Sequence, residues 1–217
     1  MNFDEFKSLL AGVPSPVILI EGVRAIPESD YPVARRFAIR MAQAFPAARF
    51  RSGNAPGSDQ AFSEGIADID AARLQVVLPY PNHRMSIRYP EAKYASPQEL
   101  AEPALAAMLR KTGAVSAETA RLLERREKTP SLKAKAQYLV RDTMKVTGFS
   151  DLFAKSHAAL FYANLTDPFA GGTGHTIRVC IQEGVPYFLQ DQWKQWFPLT
   201  APSAPSRRLT RENKHGR

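Results

Sequence analysis

Arg49-Phe50-Arg51-Ser52-Gly53-Asn54-Ala55-Pro56-Gly57-Ser58-Asp59-Gln60-Ala61-Phe62 reads as a short strand, a glycine-rich turn and the start of a helix. Arg49 to Arg51 form the strand, and the spacing predicts a helix from about Ser58 to Ala67. The same succession appears on either side. Upstream, Val17-Ile18-Leu19-Ile20 is too short and too uniformly apolar for an amphipathic helix and reads as a fully buried strand. It ends at Glu21-Gly22-Val23-Arg24, and a helix is expected over 31–44, with Asp30 as N-cap and Pro32 at its start. Downstream, Leu74 to Leu78 reads as a third buried strand, stopped by Pro79-Tyr80-Pro81.

Ala158 to Tyr162 and Val185 to Leu189 supply two more strands. Between them lie Ala170-Gly171-Gly172-Thr173-Gly174-His175-Thr176 and a helix stopped by Gly184. Three further helices are expected near 98–111, 117–127 and 131–147, and a short amphipathic one over 2–11. Strand and helix alternation of this kind makes an α/β fold: a Rossmann-like open, mainly parallel sheet with helices on both faces. The helices of about 98–147 read as an insertion. One domain over 1–200 and a basic, flexible tail over 201–217 complete the expected layout.

At 217 residues with 44% apolar and 23% charged side chains, the chain has the composition of a globular protein. The single cysteine, Cys180, excludes an intramolecular disulfide and any cysteine-rich zinc module; flanked by Val179 and Ile181, it reads as inert core. No apolar run reaches the roughly 18 residues that a membrane helix needs, and the first residues, with Asp4 and Glu5, do not form a secretory signal. A cytoplasmic protein without membrane partners is expected. The net charge of +8 is unevenly placed: residues 98–147 carry 10 basic and 6 acidic side chains, and 201–217 carry 5 and 1. A solvated helical face is the first reading of that middle segment, and contact with nucleic acid through it and the tail is the alternative.

In open parallel sheets, ligands bind beyond the C-terminal strand ends, where free amides and the helix dipole favour phosphate. Three turns fall there. They nominate Gly22 and Arg24; Ser52, Gly53, Asn54, Gly57, Ser58 and Asp59; and Gly171, Gly172, Thr173, Gly174, His175 and Thr176 as ligand-binding residues. Asp59 and Glu21 are the carboxylates that could act in catalysis. No Walker lysine follows the glycines, and neither turn has dinucleotide-fold spacing. No cluster has metal-ligand spacing, and no metal or cofactor is expected. His83, Arg84 and Arg88 could close over a ligand or form an ordinary solvated loop. Trp193 and Trp196 are read as covering a sheet edge or a subunit contact.

Ser52-Gly53-x-Ala55-x-Gly57-x-Asp59 resembles the Ser-Gly-Gly-Ala-x-Gly-x-Asp signature of the SMF/DprA–LOG (SLOG) Rossmann-like superfamily. That superfamily holds DNA-processing protein A, the Lonely-guy phosphoribohydrolases and many nucleotide-binding sensors. Gly22-Val23-Arg24 is similar to the Gly-Ser-Arg of that group, and 170–178 to its second glycine motif. The resemblance covers about residues 15–85 and 155–190. It implies a nucleotide or phosphoribosyl ligand and, by analogy, a homodimer. In Lonely-guy enzymes the second motif ends in a glutamate that serves glycosidic cleavage; here Arg178 holds that position. A guanidinium would oppose the positive charge that develops on the sugar. A sensor or binding protein is therefore the first functional reading. A nucleoside-monophosphate N-glycosidase using Asp59 or Glu21, and a single-stranded nucleic-acid binder, are the alternatives.

Overall fold

A computed structural model describes residues 1–199. Six parallel strands, β1 (Val17–Gly22), β2 (Arg49–Ser52), β3 (Leu74–Val77), β4 (Lys93–Ala95), β5 (Ala158–Tyr162) and β6 (Tyr187–Leu189), lie in the order β4-β3-β2-β1-β5-β6. Every adjacent pair is parallel. The direction of strand progression reverses between β1 and β5, and a crevice opens at such a reversal.

Side chains alternate across the sheet as a pleat requires. Ile18, Ile20, Phe50, Val76 and Leu160 face helices α1 (Phe3–Leu9), α2 (Tyr31–Ala44), α3 (Ser58–Asp70) and α8 (Gln190–Trp193). Leu19, Ala159, Phe161 and Val77 face α4 (Glu102–Gly113), α5 (Ala117–Glu124), α6 (Pro130–Thr147) and α7 (Gly171–Glu183). The open α/β sheet covered on both faces is thus the architecture expected from the alternation of apolar strands and helices.

Four details add to that expectation or differ from it. β4 was not foreseen, because Lys93-Tyr94-Ala95 has no apolar run; its exposed lysine suits an edge strand. The third mid-chain helix, α6, returns the chain from β4 towards β5 and packs against both β3 and α7. Trp193 and Trp196 belong to the core of one face. Trp193 is fully buried, stacks on Phe37 with ring centres 4.3 Å apart and donates its indole N–H to the Phe161 carbonyl. Asp30 precedes α2 but does not cap it; its carboxylate accepts from the Tyr162 hydroxyl and, at 2.7 Å, from Lys194 Nζ.

Gly184 takes a left-handed conformation as the stop of α7. Cys180 is buried beside it, and burial pushes its thiol pKa up. No helix among the described residues is long and apolar enough to cross a membrane. The proposed tail, 201–217, lies outside the described residues.

Candidate functional site

A cleft of about 1060 Å³ opens at the C-terminal ends of β1 and β5, where the strand order reverses. Its floor is the end of β1 with Glu21, Gly22 and Asp59. One wall is the N-terminus of α7, and the other is α5 with the facing side of α6. Gly22, Arg24, Asp59, Gly171, Gly172, Thr173 and His175 are brought together here, and Glu21 with them.

The turn after β2 is placed differently. Ser52, Gly53, Asn54, Gly57 and Ser58 do not line the cleft; from this turn only Ala55 and Asp59 reach it. The reason is that the turn is folded against the first one. The Ser58 amide and hydroxyl both donate to the Val23 carbonyl, at 3.1 and 2.8 Å, which ties the first residue of α3 to the turn after β1. Gly57 has a φ of +80°, and a Cβ there would overlap the Arg24 carbonyl. Asp59 accepts the Gly22 amide on Oδ1 at 3.0 Å, and the Gly53 and Ala55 amides on Oδ2 at 3.2 and 3.3 Å. Both carboxylate oxygens therefore hold backbone. Asn54, at φ +56°, offers its carbonyl to Arg84, whose other terminal nitrogen donates to Gln60. The 79–88 loop is thereby fastened to the β2 turn, with His83 buried against Tyr80 and Tyr138.

The start of α7 is open by comparison. Ala170 provides no side-chain cap, and Gly171, Gly172 and Thr173 border the cleft directly. Gly174 is a packing glycine, since a Cβ there would overlap the Phe169 carbonyl. Thr176 is buried and donates to the Gly172 carbonyl at 3.1 Å. His175 lies 3.3 Å from the Thr143 hydroxyl, and burial lowers its pKa, so the ring is neutral at pH 7.

α6 contributes a charged network that sequence reasoning did not find. Lys145, Asp142 and Arg141 are 1%, 2% and 6% exposed. Lys145 pairs with Glu21 and, at 2.9 Å, with Asp142. Arg141 grips Asp142 through Nε and Nη2 at 3.0 and 2.6 Å and donates Nη1 to the Gly53 carbonyl. Burial disfavours the charge on Asp142, but Arg141 and Lys145 outweigh it and hold the carboxyl below its usual range. Glu21 goes the other way: burial raises its pKa to about 7, with Asp142 and Asp59 adding to the rise and Lys145 opposing it.

The basic residues of 98–147 are thus divided. Arg110, Lys111 and Arg121 are exposed as a solvated face requires, whereas Arg141 and Lys145 are not. Their signal in the sequence is the spacing Tyr138, Arg141, Asp142, Lys145, one helical stripe beside the apolar stripe Ala136, Val140, Met144.

Three exposed cations border the cleft without an ion pair among the described residues: Arg24, Lys135 and Arg178. Arg24 lies over the Tyr138 ring, 5.3 Å from its centre, and Arg178 over Phe169 at 5.5 Å. Of the carboxylates near Arg24 in sequence, Glu21 is paired with Lys145, and no Arg24–Glu28 pair forms among the described residues. No cluster of potential metal ligands occurs among the described residues.

No family model matches the chain, and no curated protein does. A solved structure of DNA processing protein A from Helicobacter pylori, concerned with its single-stranded DNA binding mode, is similar over 84% of this chain and 67% of that one. The identity is 14% and the TM-score 0.42. At that level the likeness assigns no residue and no ligand to this chain.

Proposed function

We propose that the cleft binds a phosphate-bearing small molecule, a nucleotide or phosphoribosyl compound, and that the protein acts as a binding or sensing module. One observation carries this reading: a helix start without a side-chain cap and the Arg178 guanidinium, which has no ion pair among the described residues, border the same cleft, which lies at the strand reversal. The first amides of a helix and its positive dipole end favour an anion, and a guanidinium adds a planar fork for phosphate oxygens.

Turnover has less support. Glu21 is engaged by Lys145, and Asp59 holds three backbone amides. The groups in the second turn of α7 that border the cleft are His175 and the cation Arg178, and neither is a carboxylate. A glycosidic cleavage needs a carboxylate free to face the sugar. The nucleic-acid alternative draws on the exposed cations of α4 and α5 and on Lys135 at the cleft edge.

Thermal unfolding against nucleoside monophosphates, ribose 5-phosphate and short oligonucleotides tests these readings together. A small phosphate ligand at a hundredfold excess over its Kd should stabilise the protein by about 2.7 kcal/mol. Arg178→Glu should remove the shift, lowering affinity by about a hundredfold, because it replaces an attraction at the phosphate by a repulsion. A shift that survives Arg178→Glu overturns the placement. A shift only with oligonucleotides, falling steeply with salt, turns the assignment to nucleic acid. Release of free base from a monophosphate would show the enzyme reading to be correct.

A further inference from the structure

Resting on that reading, we infer that the Arg24–Tyr138 pair is a stacking platform for a planar ring, which makes the cleft select nucleoside phosphates over sugar phosphates. Arg24 comes from the turn after β1 and Tyr138 from α6, so the pair bridges the floor and the helical wall. Tyr138 is held from behind. Arg141 lies 5.2 Å from its ring centre and is itself fixed by Asp142 and the Gly53 carbonyl. The His83 ring meets it edge-on at 6.0 Å. His83 adds no charge there at pH 7: burial and the neighbouring Arg141, Arg84 and Arg24 push its pKa down to about 4.

Arg24 is the outermost layer of this stack, exposed to the cleft. Nucleobases stack on guanidinium planes and on aromatic rings, and this pair presents one of each to the cleft. The adjoining wall carries Leu122, Ala134 and Leu139, which offer apolar contact to a base, beside the polar Thr119 and Ser131. A single phosphate ion needs little of a cleft of about 1060 Å³, whereas a nucleotide extends from the α7 start towards this platform. The charge is partitioned accordingly: Arg178 and the α7 amides take the phosphate, and Arg24 takes the ring.

Isothermal titration of the whole chain with adenosine monophosphate, ribose 5-phosphate and inorganic phosphate separates the two claims. The monophosphate should bind at least about tenfold tighter than ribose 5-phosphate, the magnitude of one stacked base. Tyr138→Leu, which keeps an apolar group but removes the ring, should erase that preference while leaving ribose 5-phosphate affinity within about twofold; Tyr138→Phe should retain it. Arg24→Ala should erase the preference as well and, because it removes a cation that borders the anion cleft, lower the affinity for both ligands. Equal affinity for the two ligands in the unchanged protein, or a parallel loss of both in Tyr138→Leu, overturns the platform while phosphate binding stands. Absence of binding by all three probes removes the phosphate reading itself, and the platform with it.

Discussion

Lys145→Ala should destabilise the protein by about 3–5 kcal/mol, a large share of the 5–15 kcal/mol that folds an ordinary domain. Lys145 reaches two carboxylates, Glu21 and Asp142, from a position that is 1% exposed. Its removal leaves both in the interior, and only Asp142 keeps another cation, Arg141. The deficit should grow with pH. In the unchanged protein the Glu21 carboxyl, at about 7 against an ordinary 4.5, holds a proton in the folded chain that the unfolded chain has released. Stability therefore falls as pH rises across that window. Without Lys145 the folded pKa rises further, and the fall continues to higher pH. Urea unfolding at pH 5.5 and pH 8 measures both effects. Glu21→Gln added to Lys145→Ala should recover much of the loss at pH 8, because Asp142 keeps Arg141 and no uncompensated carboxylate remains. A deficit below about 1 kcal/mol, or one equal at the two pH values, contradicts the network described here.

Asp59→Asn should cost about 3 kcal/mol although it changes one atom. The carboxylate receives three amides on two oxygens. An asparagine offers one oxygen and turns an N–H₂ group against the remaining donors, so at least one buried amide loses its partner. The affected amides belong to Gly22 at the end of β1 and to Gly53 and Ala55 in the turn after β2. The two turns should loosen together, and any loss of ligand binding should follow the loss of stability. Denaturant midpoints and titrations at a temperature where the variant stays folded check this. Stability unchanged within about 0.5 kcal/mol, with binding abolished, would instead give Asp59 a direct role at the ligand.

Most of the architecture is legible in local pattern. Uniformly apolar runs such as Val17 to Ile20 and Ala158 to Tyr162 are strands because a parallel sheet is buried on both faces. Proline and glycine mark their ends, and the left-handed stop at Gly184 is placed by its lack of a Cβ. That the glycine turns stand at the C-terminal strand ends follows from the same alternation. The short edge strand Lys93 to Ala95 escaped because an edge needs neither an apolar run nor a regular alternation.

What the pattern does not carry is which turn opens. Three glycine turns look equivalent along the chain, yet Val23 takes the Ser58 amide and Asp59 binds the first two turns together, while the start of α7 borders the cleft. Strand order decides this, by setting β1 beside β5 and folding the first two turns onto each other. The buried charges are likewise beyond local reading. Glu21 and Lys145 lie 124 positions apart, and a lysine on a basic helix reads as solvated until the sheet beneath supplies its carboxylate. Local periodicity records which face of an element avoids water. A buried ion pair requires the opposite charge to arrive from another element, and only the packed tertiary structure brings the two together.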